Sequence, residues 1–184
     1  MTTLIKQTLH SAEEFLELVD LEGPVELVRG EIVEMPQPKP RHGQVCLTMG
    51  ALLRTFAHER HGHVLSNDVS VVTRRNPDTV RGADVCYISY AKVPKGPLPD
   101  GFLPAPPDLV VEVRSPTDRW KDILEKVVEY LNADVTIVFV LDPTTETGRI
   151  YRSDRDEEQL KNGDLVRFED VLPGFSVPLK QLFE

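Results

Sequence analysis

At 184 residues, with 40% hydrophobic and 28% charged side chains, the chain has the size and balance of one soluble domain able to bury a real core. A net charge of −9 argues against a generally basic nucleic-acid binder. The apolar runs are far too short to span a bilayer and Met1 is not followed by a signal-peptide core. A cytoplasmic protein with no membrane partner, forming a single domain over residues 1–184, is therefore expected.

In chain order, Ser11-Ala12-Glu13-Glu14 has the form of a capping box and predicts a short helix to about Asp20, ended by Gly23-Pro24. Val25–Arg29 and Glu31–Met35 alternate around Gly30 and predict a β-hairpin. Pro36, Pro38 and Pro40 lead into a helix from about His42 to Glu59, whose apolar stripe is Val45, Met49, Leu52, Leu53 and Phe56. Strands are predicted at Val69–Thr73 and Val85–Ser89, then a Pro/Gly-rich loop from Tyr90 to Pro107, long enough to suggest substrate contacts. Asp108–Arg114 reads as a central strand, and Asp118–Leu131 as a helix with Ile123, Leu124, Val127, Val128 and Leu131 on its apolar face. Val135–Leu141 is a further buried strand, and Gly148–Tyr151 and Leu165–Phe168 read as short edge strands. This order indicates an α/β (α+β) domain with helices flanking a central mixed β-sheet.

Cys46 and Cys86 sit in apolar surroundings and read as core thiols, not as a disulfide or zinc ribbon. His58, His61 and His63 fall at a helix end beside Glu59 and Arg60, where polar residues are expected without a metal. From Arg74 to Lys95, five basic residues (Arg74, Arg75, Arg81, Lys92, Lys95) face two acids, a local basic strip that could meet a phosphate backbone or simply be solvated.

The chemistry concentrates on residues that interrupt apolar patterns. Glu112 lies inside an apolar strand, where a carboxylate is costly unless paired or holding a metal. Strand alternation puts Arg114 on its face and Val111 and Val113 on the other. Asp84 opens the Val85–Ser89 strand. Lys126 shares a helical ridge with Asp122 and Tyr130, and Glu26 of the first hairpin could project toward the same end of the sheet. Two carboxylates on neighbouring strands suit a hard divalent cation such as Mg²⁺, and a nearby cation would neutralise charge on a phosphorane. Arg114 can stabilise charge but not act as a base, so Lys126 is the better candidate for moving a proton.

Together, Glu26-Leu27-x-x-Gly30, His42, Gly82-Ala83-Asp84-Val85, Pro107-Asp108-Leu109-Val110-Val111-Glu112-Val113-x-Ser115-Pro116, Asp122-x-x-x-Lys126-x-x-x-Tyr130 and Val140-Leu141-Asp142-Pro143 resemble the Uma-type restriction endonuclease family of the PD-(D/E)xK nuclease superfamily. The resemblance runs from about Val25 to Tyr151. It implies a restriction-endonuclease-like core and Mg²⁺- or Mn²⁺-dependent hydrolysis of DNA phosphodiester bonds. By the motif, Asp84 and Glu112 are the metal-binding acids. Arg114 stands where the superfamily lysine is expected, and Lys126 would substitute for it. Glu26 and His42 match further pocket positions. Ala83 replaces the usual proline before the Asp, and Thr136-Ile137-Val138-Phe139 lacks the usual aromatic pair. A homodimer would suit cleavage of both strands. The acidic net charge motivates the alternative, a catalytically weak or inactive nuclease fold kept for binding or regulation.

Overall fold

The computed structural model describes residues 9–18, 23–58 and 61–184. Helix α1 (Ala12–Leu16) opens on the expected capping box: Glu14 N–H donates to Ser11 Oγ and Ser11 N–H to Glu14 Oε2. It is shorter than predicted, and Asp20 lies outside the described residues. β1 (Val25–Val28) and β2 (Glu31–Glu34) form the hairpin, with Val28 opposite Glu31. The two-residue turn needs positive φ at both centres, met by Arg29 (52°) and Gly30 (83°). Helix α2 (Pro40–Ala57) begins on a proline and buries Val45, Met49, Leu53 and Ala57. The predicted end at Glu59 lies outside the described residues.

β3 (Gly62–Arg74) and β4 (Thr79–Ser89) are much longer than predicted and pair antiparallel from Gly62 opposite Ser89 to Arg74 opposite Thr79. Only the apolar halves carried a clear alternation; a bulge between Ser66 and Val69, at Asn67 and Asp68, interrupts it. β5 (Leu109–Val113) is fully buried and runs parallel to β6 (Ile137–Asp142), the two joined through helix α3 (Trp120–Asn132). β7 (Thr147–Tyr151) and β8 (Glu158–Leu160) extend the sheet beyond β6. β9 (Leu165–Phe168) is not an edge strand of this sheet. It pairs with β10 (Leu172–Pro178) in a separate two-stranded sheet, followed by a short 3₁₀ helix over Leu179–Phe183. The central sheet is mixed and flanked by helices, as expected.

Both faces of that sheet are covered. On one, Val45, Met49 and Leu53 of α2 pack with Val111, Phe139, Phe168 and Phe175. On the other, Ile123, Val127 and Tyr130 of α3 pack with Val110, Val138 and Val140. The helix is turned from its predicted orientation: Leu124 and Val128 are exposed, while Lys126 and Tyr130 face inward. Among the described residues no helix is long and apolar enough to cross a membrane.

The pairing of β4 positions the site. β3 occupies one edge of β4 along its whole length. The other edge is divided, because β1 pairs only at Val80 and β5 only at Val85–Tyr87. Residues 81–84 therefore face a gap in the sheet, and that gap is filled by charged side chains.

Candidate active site

Register explains the first two acids. Val85 is opposite Val111, so one step further Asp84 comes opposite Glu112, on adjacent antiparallel strands at the point where they part. Asp84 lies inside β4 and not at its start. Its Oδ2 accepts the Val113 N–H at 2.6 Å and lies 3.3 Å from His42 Nε2, contributed by the first turn of α2. Glu112 reaches the α3 side, where Tyr130 donates its hydroxyl to Oε1 at 2.9 Å and Lys126 Nζ lies 3.6 Å from Oε2.

Glu26 is the centre of the gap. Leu27 opposite Val80 brings Glu26 beside Arg81, and its carboxylate takes Lys126 Nζ at 2.7 Å, Arg81 at 2.8 Å and the Gly82 N–H at 3.2 Å. Arg81 donates again, from Nε to Glu129 Oε2 at 2.6 Å. A buried chain of alternating charge thus runs Glu129, Arg81, Glu26, Lys126, Glu112, and ends on Tyr130. Burial of this kind is tolerable because every member is paired.

The protonation states follow. Burial drives the Glu112 carboxyl upward, with Asp84 and Glu26 adding to the rise and Lys126 opposing it. Burial would raise Glu26 too, but Lys126 and Arg81 outweigh it and hold it below its ordinary value. Burial disfavours the Lys126 ammonium, yet Glu112 and Glu26 reverse the balance and raise it. At 2.7 Å against 3.6 Å, Lys126 belongs to Glu26, and Glu112 is the under-neutralised member. For His42, burial lowers the ring's basicity but the bond to Asp84 prevails and raises it.

These groups border a cavity of about 500 Å³, lined by eight carboxylates against two basic side chains. Sequence-predicted Glu26, His42, Asp84, Glu112, Asp122 and Lys126 all line it, and Tyr130 lies behind Glu112. Asp122 is at its rim, paired with Arg119 and not with Lys126 as helix spacing alone would suggest. Arg114 is not brought to the acids. The parallel register sets Val113 beside Leu141, so the next residues, Arg114 and Asp142, meet at 2.8 Å. The guanidinium also donates to the Asp118 carbonyl and lies 5.2 Å from the Trp120 ring. Strand alternation does place Arg114 on the α3 side with Glu112, but its partners there are Asp142, the Asp118 carbonyl and Trp120, not the acids of the cavity.

Arg81 and Glu129 were not identified as site residues, although Arg81 sits three residues before Asp84 and Glu129 one turn after Lys126. Asp68 was also missed. It lines the cavity from the β3 bulge at φ 52°, close to Gly82, where a Cβ would come within 3.1 Å of its own Cβ. Three of the five residues of the basic strip are engaged by acids of the chain. Arg75 pairs with Glu13 and Asp78, Arg81 with Glu26 and Glu129, and Lys92 with Asp108. The Tyr90–Pro107 loop borders a separate cavity of about 150 Å³ with Val72 and Ala133, not the acids. His61 stacks on Phe56 and His63 contacts the Pro94 carbonyl, so the helix-end histidines do not converge among the described residues; Glu59 and Arg60 lie outside them.

The residues fit a divalent cation by their chemistry: two carboxylates face each other across a strand boundary, one of them buried and short of positive charge. A mixed sheet split at such a site, with a lysine reaching in from the following helix, is the arrangement expected of the restriction-endonuclease-like class that the sequence resembles. The chain matches the model of the Uma2 family, described as "Putative restriction endonuclease", over residues 12–180, and it belongs to that family. A crystal structure described as a putative nuclease belonging to DUF820, from Anabaena variabilis, has the same fold, with a TM-score of 0.80 at 18% identity over 95% of this chain and 97% of that one. No match was found among curated proteins.

Proposed function

We propose that this chain is a Mg²⁺- or Mn²⁺-dependent DNA endonuclease in which Asp84 and Glu112 hold the metal. The observation that carries the reading is the placement of these two carboxylates opposite each other in the gap of β4, with Lys126 between Glu112 and Glu26. Bound there, the ion would supply Lewis-acid polarisation of a phosphoryl oxygen and a water made nucleophilic near neutral pH. Lys126 remains an ammonium because Glu26 neutralises it, which favours the role of stabilising charge on the phosphorane over that of a base. Arg81 and Glu129 fix Glu26, Tyr130 fixes one oxygen of Glu112, and the Val113 N–H fixes one oxygen of Asp84. Arg114 acts only at a distance, by tying the end of β5 to Asp142 and α3.

A cavity with so large an excess of carboxylates repels a bare polyanion, so DNA entry requires the cation first. Exposed Arg41 at the start of α2 and Arg119 and Lys121 at the start of α3 are the cations offered to a phosphate backbone, each of them exchanging a surface pairing with Glu146, Asp122 or Glu125 for it. The reading takes residues 1–184 as one cytoplasmic catalytic domain acting as a homodimer. Plasmid nicking with and without Mg²⁺ or Mn²⁺ tests it: wild type nicks only with metal, and Asp84→Ala and Glu112→Ala do not. Cleavage that survives both substitutions would overturn the site.

The internal pairing of Arg75, Arg81 and Lys92 favours a second reading, a nuclease fold used for binding or regulation. Wild type that binds Mg²⁺ by calorimetry, yet nicks no plasmid under any metal, would select it.

A further inference from the structure

His42 and Cys46 stand one turn apart on α2, so the helix stacks them on the face that meets Asp84. Cys46 Sγ lies 3.4 Å from His42 Nδ1, and His42 Nε2 lies 3.3 Å from Asp84 Oδ2. One ligand atom from each of the three residues falls within 4.8 Å of the others. Among the described residues this is the grouping of three such side chains able to hold one ion, and Cys46 has no disulfide partner.

The order Cys, His, Asp is also that of a nucleophilic triad. The local field runs the wrong way for that chemistry. Burial and the negative charge of Asp84, Asp68 and Glu112 hold the Cys46 thiol far above its ordinary range, whereas nucleophilic cysteines occupy electropositive surroundings. The same field favours a cation. Sulfur, imidazole nitrogen and carboxylate oxygen form a donor set for a borderline ion and not for Mg²⁺, which demands oxygen ligands in an octahedron.

We infer that His42, Cys46 and Asp84 form a site for a thiophilic divalent cation of the zinc class, with three protein ligands and an open fourth position, competing with the hard ion for Asp84. Bonds of about 2.0–2.3 Å in a tetrahedral shell place donors roughly 3.3–3.8 Å apart, so the present cluster closes by about 1 Å through side-chain rotation. Binding releases the Cys46 thiol proton to solvent, together with the imidazolium proton of any His42 that is charged, the thiolate and one imidazole lone pair becoming ligands. The competition rests on the proposed role of Asp84; the binding itself does not.

Co²⁺ titrated into the full chain, freed of metal by chelation, reads this directly. One equivalent is expected to give a thiolate-to-cobalt charge-transfer band in the near ultraviolet and the visible bands of tetrahedral cobalt, both displaced by stoichiometric Zn²⁺ and by Mg²⁺ only in large excess, as competition for Asp84 requires. Cys46→Ser abolishes the charge-transfer band, Cys86→Ser preserves it, and His42→Ala weakens cobalt binding at least about tenfold. Circular dichroism establishes that each variant is folded. Should Cys46→Ser not fold, Cys46→Ala replaces it. Absence of the band in wild type at saturation, its survival in the Cys46 variant, or its loss with Cys86→Ser overturns the site. Metal-dependent nicking is measured separately, so a cobalt site without nicking sinks the nuclease reading alone, and nicking without the band sinks this one.

Discussion

On the α2 side of the central sheet, Leu109, Val111 and Val113 of β5 meet Phe139, Leu141 and the aromatic pair Phe168 and Phe175, an interior of hydrocarbon. On the α3 side, Glu112 of the same strand is equally buried but meets Tyr130, Lys126 and, through them, Glu26 and Arg81. Fully paired buried charges are seldom more stabilising than apolar side chains of the same volume. The contrast therefore separates a face built for stability from one whose buried charges cost stability and which, on the proposed reading, serves chemistry. The division falls where β4 lacks a neighbour at residues 81–84, so the gap that weakens the sheet also makes room for the cavity.

If the faces divide labour in this way, they can be broken separately. Asp84→Ala is expected to reduce metal-dependent nicking by about 10²–10³-fold or more, the cost of losing one key electrostatic group, with a stability loss of only about 1–3 kcal/mol from the Val113 N–H left without its acceptor. Phe139→Ala should do the reverse. Its ring is fully buried and contacts Phe168 edge-on, so unfolding in urea should show a loss of about 3–5 kcal/mol, with nicking per folded molecule retained. If both variants lose activity and stability in proportion, the division is wrong.

Arg81 sharpens the comparison from the charged side. Arg81→Met leaves buried Glu26 and half-buried Glu129 without their shared partner, and should cost about 3 kcal/mol, at the lower end for a broken buried pair. Removing the acids as well, in the triple variant Glu26→Leu, Arg81→Met, Glu129→Leu, should recover most of that loss while abolishing nicking. Chemical denaturation of the single and triple variants decides it: a triple variant less stable than the single one would mean that the charge chain does stabilise the fold.

Much of this was legible in the sequence because it follows from short-range pattern. The capping box at Ser11, the hairpin around Gly30 and the apolar strand around Glu112 each announce themselves within ten residues. Asp84, Glu112 and Lys126 were legible as interruptions of such patterns. What escaped depends on long-range pairing. Nothing local reveals that β1 and β5 share one edge of β4, and hence that Arg81 belongs to Glu26 and not to a basic surface strip. Arg114 keeps the face that alternation predicts but was given the wrong company, because the parallel register that sets it beside Asp142 of β6 is not visible locally. The exposed Leu124 and Val128 misled for a similar reason: α3 is oriented by Lys126 and Tyr130 reaching Glu112, which a count of apolar residues cannot weigh.

The mildest test of the contrast uses pH alone. Burial, with Asp84 and Glu26 nearby, lifts Glu112 from 4.5 to about 8, and His42 is raised above 6.5 by its bond to Asp84. In both cases the folded chain holds protons more tightly than the unfolded chain does. Stability of the metal-free protein must then fall as pH rises from about 5 to 8, since protons are released from the folded state there. Glu26 slopes the other way, but its lowered carboxyl acts only when pH drops below about 4.5, outside this window. In the presence of chelator the thermal midpoint is expected to decline across pH 5–8, by roughly 2–4 °C for each kcal/mol lost. Mg²⁺ should abolish most of the decline by replacing the proton on Glu112, and Glu112→Gln should make it shallower without metal, leaving the part due to His42. The apolar face offers no such titration, so Phe139→Ala should shift the whole curve downward and leave its slope unchanged. A chelated wild type whose midpoint is flat, or a Glu112→Gln variant with the wild-type slope, would mean that Glu112 is neutralised by Lys126 after all and that the site lacks the charge deficit expected to draw in a cation.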